Sequence, residues 1–200
     1  MKKLILCIFI FSPMIICCQN NQIKEIVFEG ETTETNRYVN MLKLKDQNAL
    51  IIQIGYSSYP IRGLESDLVV YMNNGQVRLY KISEPINDQL ETKVKRVGVK
   101  KSEYKLFWKF LNTCISQDKF NINKPRLNFE DANLQQVISG GKTYHFRLYQ
   151  NKKYITYSCF LPNIDMPLES TGFEEKQRLV ALMEDFESII KNINGNNTNN

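Results

Sequence analysis

The sequence predicts one α+β domain, a mainly antiparallel sheet of about seven to nine strands with one internal helix and one C-terminal helix packed on it. Three observations lead there. Short β-rich segments follow one another across short turns, and a parallel pair would need a long crossover between its strands. Asn74-Gly75 sits between two such segments, as a hairpin turn requires. Two other segments repeat apolar residues at helical spacing, one in mid-chain and one near the end.

Taken in order, Ile23 to Glu29 reads as the first strand, and Glu31 to Asn36 as a polar turn. Tyr38–Leu44 and Ala49–Gly55 follow as strands. The second is almost continuously aliphatic, which implies burial on both faces. Asp67–Met72 and Gln76–Ile82 form a hairpin, for which Asn74-Gly75 would supply the two positive-φ residues of a type I′ turn. Lys93–Val99 adds one more strand. Ser102 then caps a helix with Glu103 in its first turn, and Tyr104, Phe107, Trp108, Leu111 and Ile115 make its apolar face, with Cys114 at the margin. Residues 118–133 are irregular and contain Pro125. Lys142–Tyr149 and Lys153–Phe160 form a second hairpin. The last helix begins at Ser170 or Thr171, with Glu174 and Glu175 suited to its positive end. Leu179, Leu182, Met183, Phe186, Ile189, Ile190 and Ile193 share one arc. Asn194-Gly195 is expected to stop it, leaving 194–200 as a disordered tail.

The first residues predict an address rather than a fold. Lys2 and Lys3 precede an apolar run from Leu4, which ends at Cys17-Cys18 before the polar Gln19-Asn-Asn-Gln22. A charged start, a short apolar stretch and an abrupt polar boundary mark a secretory signal peptide. From Leu4 to Cys18 a helix would span roughly 22 Å against a hydrocarbon core of about 30 Å, and Pro13 would interrupt it, so a permanent membrane span is the weaker reading. Ile15-Ile16-Cys17-Cys18 resembles the lipobox of bacterial lipoproteins, departing from it only where Cys17 stands for a glycine, alanine or serine. The resemblance implies cleavage after residue 17 and a diacylglycerol thioether on Cys18, with a further fatty acyl chain such as palmitate in many bacteria. The domains are then a signal peptide at 1–17, a lipidated tether at 18–22, a single domain at 23–193 and the tail. Gln19 departs from the aspartate that often retains such proteins at the inner membrane, so the resemblance implies the periplasmic face of the outer membrane.

Cleavage would leave 183 of 200 residues and, by removing Lys2 and Lys3, lower the formal charge from +5 to +3. So small an excess predicts no nucleic-acid partner. Cys114 and Cys159 remain, either as a disulfide that an oxidising compartment permits or as two separate buried thiols. Two cysteines and a single histidine match no metal-site spacing, and there is no phosphate loop or dinucleotide fingerprint, so neither a metal nor a cofactor is expected.

A few residues remain as candidates for chemistry. His145 is the only histidine. It alternates with Tyr144, Phe146 and Leu148, which puts His145, Arg147 and Tyr149 on the opposite strand face, as a polar ledge for an anionic or sugar ligand or as ordinary solvated surface. The adjacent acids Glu130-Asp131, Glu174-Glu175 and Glu184-Asp185 point different ways and make poor glycosidase pairs. Lys101, Lys105 and Lys109 repeat every fourth residue within a basic segment from Lys93, a stripe for lipid headgroups, glycans or an acidic protein, or a face kept soluble by lysines. Tyr56-Ser57-Ser58-Tyr59 follows the aliphatic strand as the best candidate binding loop, with Tyr56 and Tyr59 as its contact surface.

The expected function is therefore that of a non-catalytic envelope lipoprotein, held to the membrane through Cys18, that binds a protein or a glycan. One form of it would be an immunity protein against a periplasmic toxin. A hydrolase using His145 with Tyr149 or a serine of Ser57-Ser58 is the alternative, and a structural or stress-related lipoprotein is a third.

Overall fold

A computed structural model of the chain describes residues 23, 26, 31–32, 37–44, 49–58, 63–85, 91–127, 141–162 and 172–197. Its strands are β1 (Glu31–Thr32), β2 (Leu50–Ser58), β3 (Leu64–Tyr71), β4 (Val77–Glu84), β5 (Lys93–Val97), β6 (Gly141–Gln150) and β7 (Lys153–Pro162). The helices are α1 (Arg37–Met41), α2 (Tyr104–Ser116), α3 (Lys124–Leu127) and α4 (Phe173–Asn197), with a 3₁₀ turn at Lys101–Glu103 leading into α2. Every strand pairing is antiparallel, in the order β1-β7-β6-β2-β3-β4-β5. The α+β class holds, with six full strands and a two-residue seventh, slightly fewer than the range expected.

Side chains alternate across this sheet and build two cores. On face A, Ile52, Ile54, Val69, Leu79, Phe146 and Tyr157 meet Phe107, Trp108, Leu111 and Cys114 of α2 and Leu179, Met183, Phe186 and Ile190 of α4. These are the apolar arcs that helical spacing predicts. On face B, Ile51, Leu68, Val70, Tyr80, Ile82 and Tyr149 cluster around Tyr38 of α1. The aliphatic run of β2 is thus buried on both faces, as its composition predicts.

Three short segments depart from expectation: Glu31–Thr32 pairs as a strand rather than turning, Lys124–Leu127 is a helical turn within the stretch expected to be irregular, and Ser102 lies inside the 3₁₀ turn, leaving Glu103 at the start of α2. Four larger details depart as well. Tyr38–Leu44 is a short helix and turn, not a strand: Leu42 N donates to Tyr38 O at 2.9 Å, and so short a segment fits either period. At the first hairpin only Gly75 takes positive φ (79°). Gly75 N donates to Met72 O and Met72 N to Gln76 O, so the loop is a three-residue one closed by a left-handed glycine. The two-residue turn with two positive-φ positions is at Asn151-Lys152, between the paired Gln150 and Lys153. Finally α4 runs past Asn194-Gly195 to Asn197, since one glycine costs a helix only about 1 kcal/mol. The strand expected from Ile23 to Glu29 lies mostly outside the described residues; Ile26 N donates to the Gln150 side chain at 2.9 Å.

Candidate functional site

The antiparallel pairing defines two ends of the sheet. One carries the Asn73–Gly75 loop and Gln150; the other carries Ser58, Glu84 and Lys142. At this second end, adjacent residues of β2 and β6 feed two different sites, because Tyr56 and Tyr144 point to face A while Ser57 and His145 point to face B.

On face A the strand ends meet the C-terminal half of α4 in an open groove of about 580 Å³, lined by Tyr56, Lys142, Tyr144, Glu184, Glu187, Ser188, Lys191 and Asn192. Tyr56 and Tyr144 stand edge to face, with ring centres 5.1 Å apart. The Tyr56 hydroxyl donates to Glu187 Oε1, and the Lys142 ammonium lies 5.6 Å above the Tyr56 ring. Glu187 also accepts from Lys191 at 3.0 Å. Burial, followed by the Glu187 hydrogen bond, pushes the Tyr56 hydroxyl far up, so it acts as a donor only. Tyr144 is raised too, by burial and then by Glu184. Two carboxylates and two ammonium groups balance in the lining. The groove suits a polar ligand of low net charge, with a ring to stack on and donors and acceptors to bind hydroxyls.

Face B carries a hydrogen-bonded polar cluster. Ser57 Oγ lies 3.0 Å from His145 Nε2, and Ser158 Oγ lies 3.3 Å from Nδ1. Beside them the buried Gln53 accepts from the Tyr38 hydroxyl (2.7 Å) and from Arg147 Nη1 (3.3 Å), and donates to Ser66 Oγ (2.8 Å) and Glu84 Oε1 (3.0 Å). Tyr38 also donates to Glu84 at 2.8 Å. Burial lowers the His145 pKa, Arg147 lowers it further and Glu84 opposes both, so the ring is neutral at pH 7. A serine beside a neutral imidazole is the first half of a nucleophilic pair. The second half is a carboxylate to stabilise the imidazolium that forms as the serine loses its proton. Here Nδ1 meets a hydroxyl, and the nearest cation, Arg147, disfavours that charge. The arrangement holds shape better than it moves protons.

The residues singled out by sequence fall in different places. Tyr56 lies within β2 rather than in a loop, and Tyr59 lies outside the described residues, as does Cys18. Tyr149 belongs to no ledge: it is only 9% exposed, edge-on to Tyr38 and stacked on Tyr154. His145 and Arg147 do share a face, but the Tyr38 segment packs against that face, so it is not open solvated surface. Cys114 and Cys159 are buried free thiols, not a disulfide. Burial pushes Cys114 to about 12 and Cys159 to about 11, which leaves both protonated and unreactive. Lys101, Lys105 and Lys109 are all exposed.

Sequence reasoning missed most of the groove. Alternation separates Tyr144 from His145 without showing an opening, and Glu184 stands out only as half of a poor acid pair, whereas both line it. The available signal was polar residues, Glu184, Glu187, Ser188 and Lys191, alternating with the apolar arc where α4 overhangs the strand ends. Among the described residues no cluster of histidine, cysteine or carboxylate side chains could hold a metal ion, and no helix is long and apolar enough to cross a membrane. No known family model matches the chain, and no curated protein matches it significantly.

Proposed function

We propose that the chain is an exported, lipid-anchored envelope protein that binds a glycan in the groove between α4 and the ends of β2 and β6. The anchor rests on the signal-like N-terminus and the lipobox resemblance ending at Cys18. The binding role rests on one observation above all, an aromatic pair set among hydroxyl, amide and carboxylate groups in an open groove of low net charge. Sugars are bound by such mixtures: a ring face for the apolar side of the pyranose, and directional polar groups for its hydroxyls. Calorimetric titration with N-acetylglucosamine oligosaccharides tests it. Saturable binding is expected, and Tyr144→Ala should weaken it roughly tenfold or more, by analogy with aromatic anchors elsewhere. A flat titration, or a Tyr144→Ala variant that binds as the parent does, would overturn the assignment.

A second reading, an esterase-like hydrolase, has one observation in its favour, the 3.0 Å contact between Ser57 and His145. Labelling with a fluorophosphonate separates the two. The binding-protein reading expects no covalent adduct at Ser57; an adduct lost in both Ser57→Ala and His145→Ala would establish the nucleophile.

A further inference from the structure

The end of the sheet opposite the groove carries its own pattern. Tyr71 at the end of β3 pairs with Leu50, and the next residue, Ile51, pairs with Tyr149 near the end of β6, so the Gly75 loop and Gln150 project from the same end. Helix α2 is fixed there: Trp108 Nε1 donates to Gly75 O at 2.9 Å, and the Tyr71 hydroxyl to Phe107 O at 3.2 Å. With Phe107 and Trp108 turned inward, the outer side of α2 presents Lys105 and Lys109, continued by Lys101 in the preceding turn. Among the described residues none of the three pairs with an acid. The one acid of the segment, Glu103, is buried and accepts from Lys100 N at 2.6 Å. Beside the lysine stripe Leu106 stands 49% exposed, the most exposed large apolar side chain among the described residues.

The N-terminal segment arrives at this same end. Ile26 N bonds to Gln150, and Ile23 packs against the face A core. Ile23 is five positions after Cys18, a contour of at most roughly 18 Å. A lipid on Cys18 would therefore draw this end, where Ile26 joins the sheet, toward the bilayer.

We infer that the outer side of α2 seats on an anionic membrane surface, with Lys101, Lys105 and Lys109 meeting lipid headgroups and Leu106 entering the interface beside them. Unpaired cations beside an exposed leucine are the composition of an interfacial helix face. Headgroup attraction falls off over about a Debye length, roughly 8–10 Å, and a tether of at most roughly 18 Å keeps the domain close enough for α2 to reach that layer. The inference rests on the anchored reading for its geometry, and it leaves the groove facing away from the membrane.

Lysine footprinting of the full-length chain on vesicles tests it, using a water-soluble acetylating reagent and mass spectrometry. On phosphatidylcholine with about 30% phosphatidylglycerol, Lys101, Lys105 and Lys109 should react roughly threefold or more slowly than on phosphatidylcholine alone, and about 0.5 M salt should abolish the difference. Lys142, at the groove end, should react alike on both. In the Lys105→Glu, Lys109→Glu double variant, Lys101 should lose its protection. Equal rates on the two vesicle types would overturn the inference, even if the same lysines were shielded in cells, where an acidic protein would then be the partner. The Cys18 peptide from the same digest judges the anchor separately. Acylated Cys18 with unprotected lysines removes the membrane face alone, while protected lysines on a chain without acyl mass keep that face and remove the anchor.

Discussion

The two faces of the sheet near Ser58 and Lys142 are one strand thick apart and are closed by different means. Face A is covered by α2 and α4, of 13 and 25 residues, whose apolar arcs bury it and whose overhang leaves the groove at its rim. Face B has the five-residue α1, a single turn of helix that contributes the fully buried ring of Tyr38. Beyond the apolar cluster around Tyr38, that face is filled by hydrogen bonds radiating from Gln53. Long amphipathic helices close a face by hydrophobic burial, while a short cover leaves polar groups that must satisfy one another. Face B polarity is thus structural, and face A polarity lies where a ligand can reach it.

Substitutions sharpen that contrast. The largest expected effect is on face A, where Phe186 is fully buried and packs edge-on against Phe110, with ring centres 4.9 Å apart. Phe186→Ala should destabilise by about 3–5 kcal/mol in urea denaturation, and a loss below about 1 kcal/mol would mean that α4 is not packed as described. Next is Gln53→Ala. It strips partners from Tyr38, Ser66, Arg147 and Glu84 at once, and should cost about 2–3 kcal/mol although it removes little apolar surface. A neutral result would show that water reaches the cluster and that face B is open.

The smallest expected effect is a pH dependence. Burial first and Arg147 second hold the folded His145 below its usual 6.5. As pH falls through that value the unfolded chain takes up the proton before the folded one does, so stability declines. The decline ends once the folded ring also protonates. His145→Gln should flatten the stability profile over that interval and leave it unchanged above it. An unaltered profile would mean that His145 is solvated.

Much of the fold could be read from the sequence because its signals are local. The arcs of α2 and α4, both hairpins and the two-sided burial of β2 each follow from spacing within one segment. Tyr38–Leu44 could not be read, because seven residues satisfy helical and strand periods alike and only the packing of Tyr38 over Ile51 and Leu68 selects the helix. The His145 face was placed correctly by alternation. Its cover was invisible because Tyr38 lies more than one hundred residues earlier in the chain. The groove was illegible for a similar reason. Alternation puts Tyr144 on the core face, and only the point at which α4 leaves the sheet decides that this ring lines an opening rather than a core. Tyr56 was singled out for its composition and proves to matter through its position beside Glu187.

The account turns on which side of the Ser58 end meets a ligand, and amide and side-chain chemical-shift mapping during titration with an N-acetylglucosamine oligosaccharide reads this directly. Saturating shifts at Tyr144, Lys142, Ser188 and Asn192, with Ser57, His145 and Ser158 unmoved, are the expected result. Shifts centred on Ser57 and His145, with the groove resonances silent, would contradict it.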